Sequence, residues 1–153
     1  MGQFFKFEED FAASLRCIPM QVRFKLDTAG VKLKLPHWHL LTPDERQQVL
    51  NAACETPQES QNYRNLLHQL IEQHGGDRPS DLPIEPHPDW LDETTIPESV
   101  EQKAQSVGVA LGRSQWAALS PLQRFALIKL SRSNHENKNF LPALHEFHLI
   151  DAV

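Results

Sequence analysis

IPMQVRFKLDTAGVKLKLPHWHLLTPDER, residues 18–46, and IPESVEQKAQSVGVALGRSQWAALSPLQR, residues 96–124, align without a gap. Ile18, Pro19, Val22, Lys25, Gly30, Val31, Leu33, Trp38, Leu41, Pro43 and Arg46 recur as Ile96, Pro97, Val100, Lys103, Gly108, Val109, Leu111, Trp116, Leu119, Pro121 and Arg124, eleven identities in 29 positions. Average residue usage predicts about two by chance. The match resumes one residue out of step, where Tyr63, Leu67, His68 and Leu70 face Phe140, Leu144, His145 and Phe147. A repeated segment of this length reads as two similar units, each with an apolar face too large to leave in water.

The punctuation within each copy is helical. Thr42-Pro43-Asp44-Glu45 supplies a hydroxyl cap, a proline at the first helical position and a carboxylate that can reach back to the cap amide. Ser120-Pro121-Leu122-Gln123 repeats that chemistry, and Thr56-Pro57-Gln58-Glu59 starts a further helix with Tyr63, Leu66, Leu67, Leu70 and Ile71 at helical spacing. Pro19 and Pro97 open the first helix of each copy, and Gly30 and Gly108 stand where a left-handed residue closes it. Val31, Leu33 and Leu35 alternate with Lys32 and Lys34 as a strand would, yet the second copy has Ala110, Gly112 and Arg113 there. We therefore read an extended connection leading to a short helix around Trp38.

The expected fold is all-α: one domain over residues 1–153, a compact bundle of two pseudo-symmetric three-helix repeats at about 16–74 and 94–150. A Pro-rich acidic strap, residues 75–96, joins them. Its prolines forbid regular helix or central strand, and Trp90 and Leu91 are expected to tuck against the bundle.

Charge is unevenly placed within a net of -5. From Gly75 to Ile96 six acids (Asp77, Asp81, Glu85, Asp89, Asp92, Glu93) face one base, Arg78, whereas upstream Arg16, Arg23, Lys25, Lys32 and Lys34 outnumber Asp27. Nucleic acid is not an expected partner, because binding it needs more positive charge than this. No run of about 18 apolar residues is present, so no membrane span is expected. With no secretion signal in Met1 to Asp10 and only Cys17 and Cys54 far apart, the expected compartment is the cytoplasm.

Residues common to both copies serve the fold most simply. Trp38, Trp116, Arg46 and Arg124 read as core, the arginines tying a helix to neighbouring carbonyl or carboxylate groups. Arg16, Cys17, Met20, Arg23, Phe24 and Asp27 distinguish the first copy, facing Thr94, Thr95, Glu98, Glu101, Gln102 and Gln105 in the second. That contrast fits either an interface or a more deeply buried helix. Cys17, beside Arg16 and just ahead of a helix, is a possible reactive thiol against a structural cysteine. His37, His39, His145 and His148 lack the carboxylates or cysteines of a metal site, and no phosphate loop, nucleophile elbow or dinucleotide fingerprint occurs. No catalytic residue, metal or cofactor is expected.

Residues 7–35, FEEDFAASLRCIPMQVRFKLDTAGVKLKL, with Phe4 and Phe5 before them and the Trp38 helix after, resemble the nitrate reductase-associated protein family. The resemblance implies a small accessory protein, chiefly of cyanobacteria, without enzymatic activity of its own. It implies a protein partner, the catalytic subunit of the cytoplasmic assimilatory nitrate reductase, a molybdopterin and iron-sulfur enzyme. Through the motif it implies a contact surface at Phe7, Phe11, Arg16, Met20, Arg23 and Lys25. The alternatives are a small metal- or thiol-dependent enzyme or sensor, and a regulator binding a nitrogen metabolite.

Overall fold

The structure, a computed structural model, describes residues 5–9, 15–132 and 139–150; Phe11 lies outside them. Among the described residues the chain is mostly helical, with eight α-helices, two 3-10 turns and one two-stranded ladder. No described helix is long and apolar enough to cross a membrane. The chain divides into two compact units, one built on Glu8–Glu85 and the other on Phe5–Phe7 with Pro86 onward.

The first unit carries α1 (Met20–Ala29), β1 (Val31–Lys32), α2 (Leu35–Leu40), α3 (Pro43–Asn51), α4 (Pro57–Gln73) and β2 (Ser80–Asp81). Thr42 and Thr56 each accept the amide three residues on, while Glu45 and Glu59 reach back to the cap amides. Gly30 closes α1 at φ 76°, a left-handed conformation that a side chain would strain. Val22, Leu26, Val31, Trp38, Val49, Leu50, Tyr63, Leu67 and Ile71 form one apolar core. The Tyr63 hydroxyl inside it donates to the Val49 carbonyl at 3.1 Å.

The second unit carries α5 (Glu98–Ser106), α6 (Arg113–Ala118), α7 (Pro121–Arg132) and α8 (Phe140–Glu146), after a 3-10 turn at Asp89–Leu91. Its cap at Ser120 and Gln123 repeats that of Thr42 and Glu45. Helices α5, α6 and α7 begin 78 residues after α1, α2 and α3. Each tryptophan indole donates to a carbonyl just ahead of the first helix of its unit, Trp38 to Leu15 at 2.8 Å and Trp116 to Asp92 at 2.9 Å. The arginines also correspond: Arg46 donates to the Trp38 and Leu15 carbonyls, and Arg124 to those of Trp116, Leu119 and Trp90. Arg46 lies over the Trp38 ring, 5.9 Å from its centroid.

Three expectations change. Among the described residues each unit has four helices where repeats of three were expected, the fourth being the short helix expected around the tryptophan. Val31–Lys32 is a strand, antiparallel to Ser80–Asp81 in the strap, with Val31 opposite Asp81. Its partner lies nearly fifty residues away, beyond the reach of any local pattern. In the strap, Trp90 packs edge-on against Phe125 at 5.1 Å, but Leu91 is 56% exposed rather than tucked in.

Candidate functional site

The residues that distinguish the first helix divide into supports and exposed groups. Met20 is 3% exposed, and its amide donates to the buried Glu8 carboxylate at 3.1 Å. Pro19 offers α1 no side-chain cap, so Glu8 supplies the acceptor, an anion at the positive end of the helix. Lys25 donates to the carbonyls of Leu50 at 2.7 Å and Ala52 at 2.6 Å, closing the end of α3, and burial lowers its ammonium pKa. Met20 and Lys25 are thus engaged internally, Met20 buried and Lys25 half-buried.

Arg16 is exposed, and its carbonyl accepts from the His39 ring at 3.1 Å, which brings it beside α2. Arg23 is half-buried, with Nε donating to the Ile18 carbonyl. Phe7 belongs to the second unit, stacked on Phe5 and edge-on to Phe147, its amide donating to Glu146.

Cys17 is a half-buried free thiol, and Cys54 is buried between the Lys25 carbonyl and the Ser60 hydroxyl, burial pushing its thiol pKa up. Among the described residues no group of three or more His, Cys, Asp or Glu side chains could hold a metal. A groove of about 500 Å³ runs along α4, lined by Asn65, His68, Gln69, Glu72, Gln73 and Arg78. Among the described residues His68 Nε2 is the one buried side-chain polar atom without a hydrogen-bond partner.

Helix α2 separates fold from surface chemistry. Leu35, Pro36, His39 and Leu40 are exposed, with His37 half-buried and Trp38 buried; Arg113, Ser114, Ala117 and Ala118 of α6 are exposed, with Gln115 half-buried and Trp116 buried. At 100° per residue the four exposed positions fall within one arc of about 140°, opposite the tryptophan. The backbone and burial are thus met twice, once with two leucines on the outer face and once with an arginine and an alanine in their places. Even the two half-buried side chains act alike, since His37 Nδ1 accepts the Lys34 amide at 3.1 Å and Gln115 Oε1 accepts the Gly112 amide at 2.8 Å. Packing therefore does not require leucine at 35 or 40, although Leu40 also rests on the Gly76 turn.

The model of one protein family, described as conserved nitrate reductase-associated protein, matches residues 4–147. The chain belongs to that family. No curated protein and no solved structure is significantly similar to it.

Two features of this member of the family escape a reading by helix alone. Glu8 gives no local signal, since its role depends on a helix that starts twelve residues later. Leu35 and Leu40 align with Arg113 and Ala118 in the sequence, but only burial shows that these positions point outward in both units.

Proposed function

We propose that this chain is a non-catalytic accessory protein that binds the catalytic subunit of a cytoplasmic assimilatory nitrate reductase and holds it in its competent form. The two units are taken as copies of one duplicated segment, of which the first acquired a binding surface. Arg16, Arg23, Lys32 and Lys34 with Leu35, His39 and Leu40 make up that surface. The observation that carries the reading is the pair α2 and α6, alike in backbone and burial and different in outer chemistry, within a chain whose family is named for nitrate reductase. An apolar centre with a cationic rim is the composition of a protein-binding patch rather than of a reaction site.

The mechanism requires no new chemistry. A partner that binds only the competent reductase shifts its equilibrium by mass action, by about 2.7 kcal/mol when the free chain exceeds the dissociation constant a hundredfold. Capture from nitrate-grown cells with the tagged full chain tests this. Wild type is expected to recover the reductase, and Leu35→Arg, which places the α6 residue on α2, to recover at least tenfold less. Recovery of no reductase under mild conditions, or equal recovery by the variant, would count against the assignment.

A further inference from the structure

We infer that the α2 face of one copy of this chain binds the acidic segment around Leu91 of a second copy. Both surfaces are exposed leucines, with lysines flanking the first in sequence and carboxylates flanking the second. On α2, Leu35 is 47% and Leu40 39% exposed, with Lys32 and Lys34 on the approach and Arg16 beside His39. No acidic residue occurs between Asp27 and Asp44. At the other surface Leu91 is 56% exposed on a 3-10 turn, with exposed Asp89, Asp92 and Glu93 around it. No lysine or arginine occurs between Arg78 and Lys103, and the ion pair of Asp89 with Arg132 is long, 3.7 Å, and exposed.

The acidic turn is already ordered. Asp92 Oδ1 accepts the Thr94 amide at 2.9 Å and the Thr94 hydroxyl at 2.6 Å, so Leu91 is presented by a short closed loop. Leu35 and Leu91 are not required by their scaffold. Helix α6 keeps the same burial with arginine and alanine in place of the two leucines, and Leu91 contributes nothing to the buried core.

Juxtaposing the two removes apolar area from water at the centre and pairs opposite charges at the rim, which sets orientation and encounter rate more than affinity. Each patch is only a few side chains wide, well below a standard interface, so the association is weak and salt-sensitive. The net charge of -5 makes two copies repel at long range. Association at low ionic strength therefore reports the patches rather than general stickiness.

Sedimentation velocity of the full chain, with no reductase present, tests this independently of the accessory function. The average mass is expected to rise above 17.5 kDa with concentration at low salt, and to fall back in high salt. Leu35→Arg should weaken association at least fivefold. A Lys32→Glu, Lys34→Glu variant and an Asp89→Lys, Glu93→Lys variant should each be monomeric, and an equimolar mixture of the two should associate, because each then offers the charge that the other lacks. A wild type that stays monomeric at every concentration, a Leu35→Arg variant that associates equally, or a mixture that fails to associate each overturns the inference.

Discussion

Arg46 and Arg124 occupy matching places, yet their surroundings make them unequal. Arg124 is 2% exposed and donates to three carbonyls, whereas Arg46 is half-exposed and its bonds lie in part at the surface. Removing a buried charged donor strands acceptors that water cannot reach, while a surface carbonyl can turn to solvent. Arg124→Met should therefore cost about 3 kcal/mol and Arg46→Met about 1 kcal/mol in urea unfolding. Equal losses would contradict the difference in solvent access. Gly30 and Gly108 form a second unequal pair, at φ 76° and 79°. A Cβ at Gly108 meets nothing within 4 Å, but at Gly30 it would lie 2.7 Å from Ile84 Cγ1 and 2.9 Å from the Leu82 carbonyl. Gly108→Ala should cost about 1 kcal/mol from the left-handed backbone alone. Gly30→Ala should cost about 3 kcal/mol, because it also displaces the strap. Thermal denaturation of the two variants measures the strap contact by difference.

At the scale of elements, caps and repeats are legible in the sequence and long-range partners are not. Thr42, Thr56 and Ser120 announce their helices because a capping box is contained within four residues, and the repeat places α5 and α7 by likeness to α1 and α3. β1 reads as a connection because its partner comes from the strap, and Leu91 reads as buried because hydrophobicity does not say which side of a turn faces water. Of the expected contact residues, Arg16 is exposed, whereas Met20 and Lys25 serve Glu8 and the end of α3, roles set by residues remote in sequence. The strap also creates a titrating site that sequence alone does not indicate. His68 lies on α4 in line with Arg64 and Glu72; Arg64 is paired with Asp81 of the strap and Glu72 with Arg78. Burial, then Arg78 and Arg64, lower the pKa of His68, so folding favours its neutral form. The unfolded chain takes up this proton first as pH falls below about 6.5, so the stability contributed by neutral His68 is present above that value and is lost as pH drops through the lower folded pKa. His68→Gln should narrow the drop in melting temperature between about pH 7.5 and pH 5. An unchanged drop in the variant would assign the acid sensitivity to the carboxylates instead, among them Glu45, whose pKa is lowered first by the Thr42 amide.

Taken whole, the molecule carries a net of -5, but the charge is sorted along the chain, with an excess of cations from Arg16 to Lys34 and of anions from Asp77 to Glu93. Fields of this kind act over about one Debye length, some 8 Å at physiological salt, and chiefly govern how fast a partner is met. If the reductase engages the surface beside α2, the cations at its rim steer the encounter, while the leucines at its centre hold the complex. The two contributions separate kinetically, since exposed rim charges change the association rate and desolvated apolar groups the dissociation rate. Arg16→Glu reverses an exposed charge outside the apolar core and should slow association with the reductase by several-fold at low ionic strength, leaving dissociation nearly unchanged. Leu35→Arg should do the opposite, speeding dissociation at least tenfold with a smaller effect on association. Surface-immobilised reductase, with the full chain in flow at two salt concentrations, reads both rates. If the Arg16 defect persists undiminished in high salt, the guanidinium makes a desolvated contact at the centre of the interface, and the apolar centre must be placed nearer to α1 than to α2.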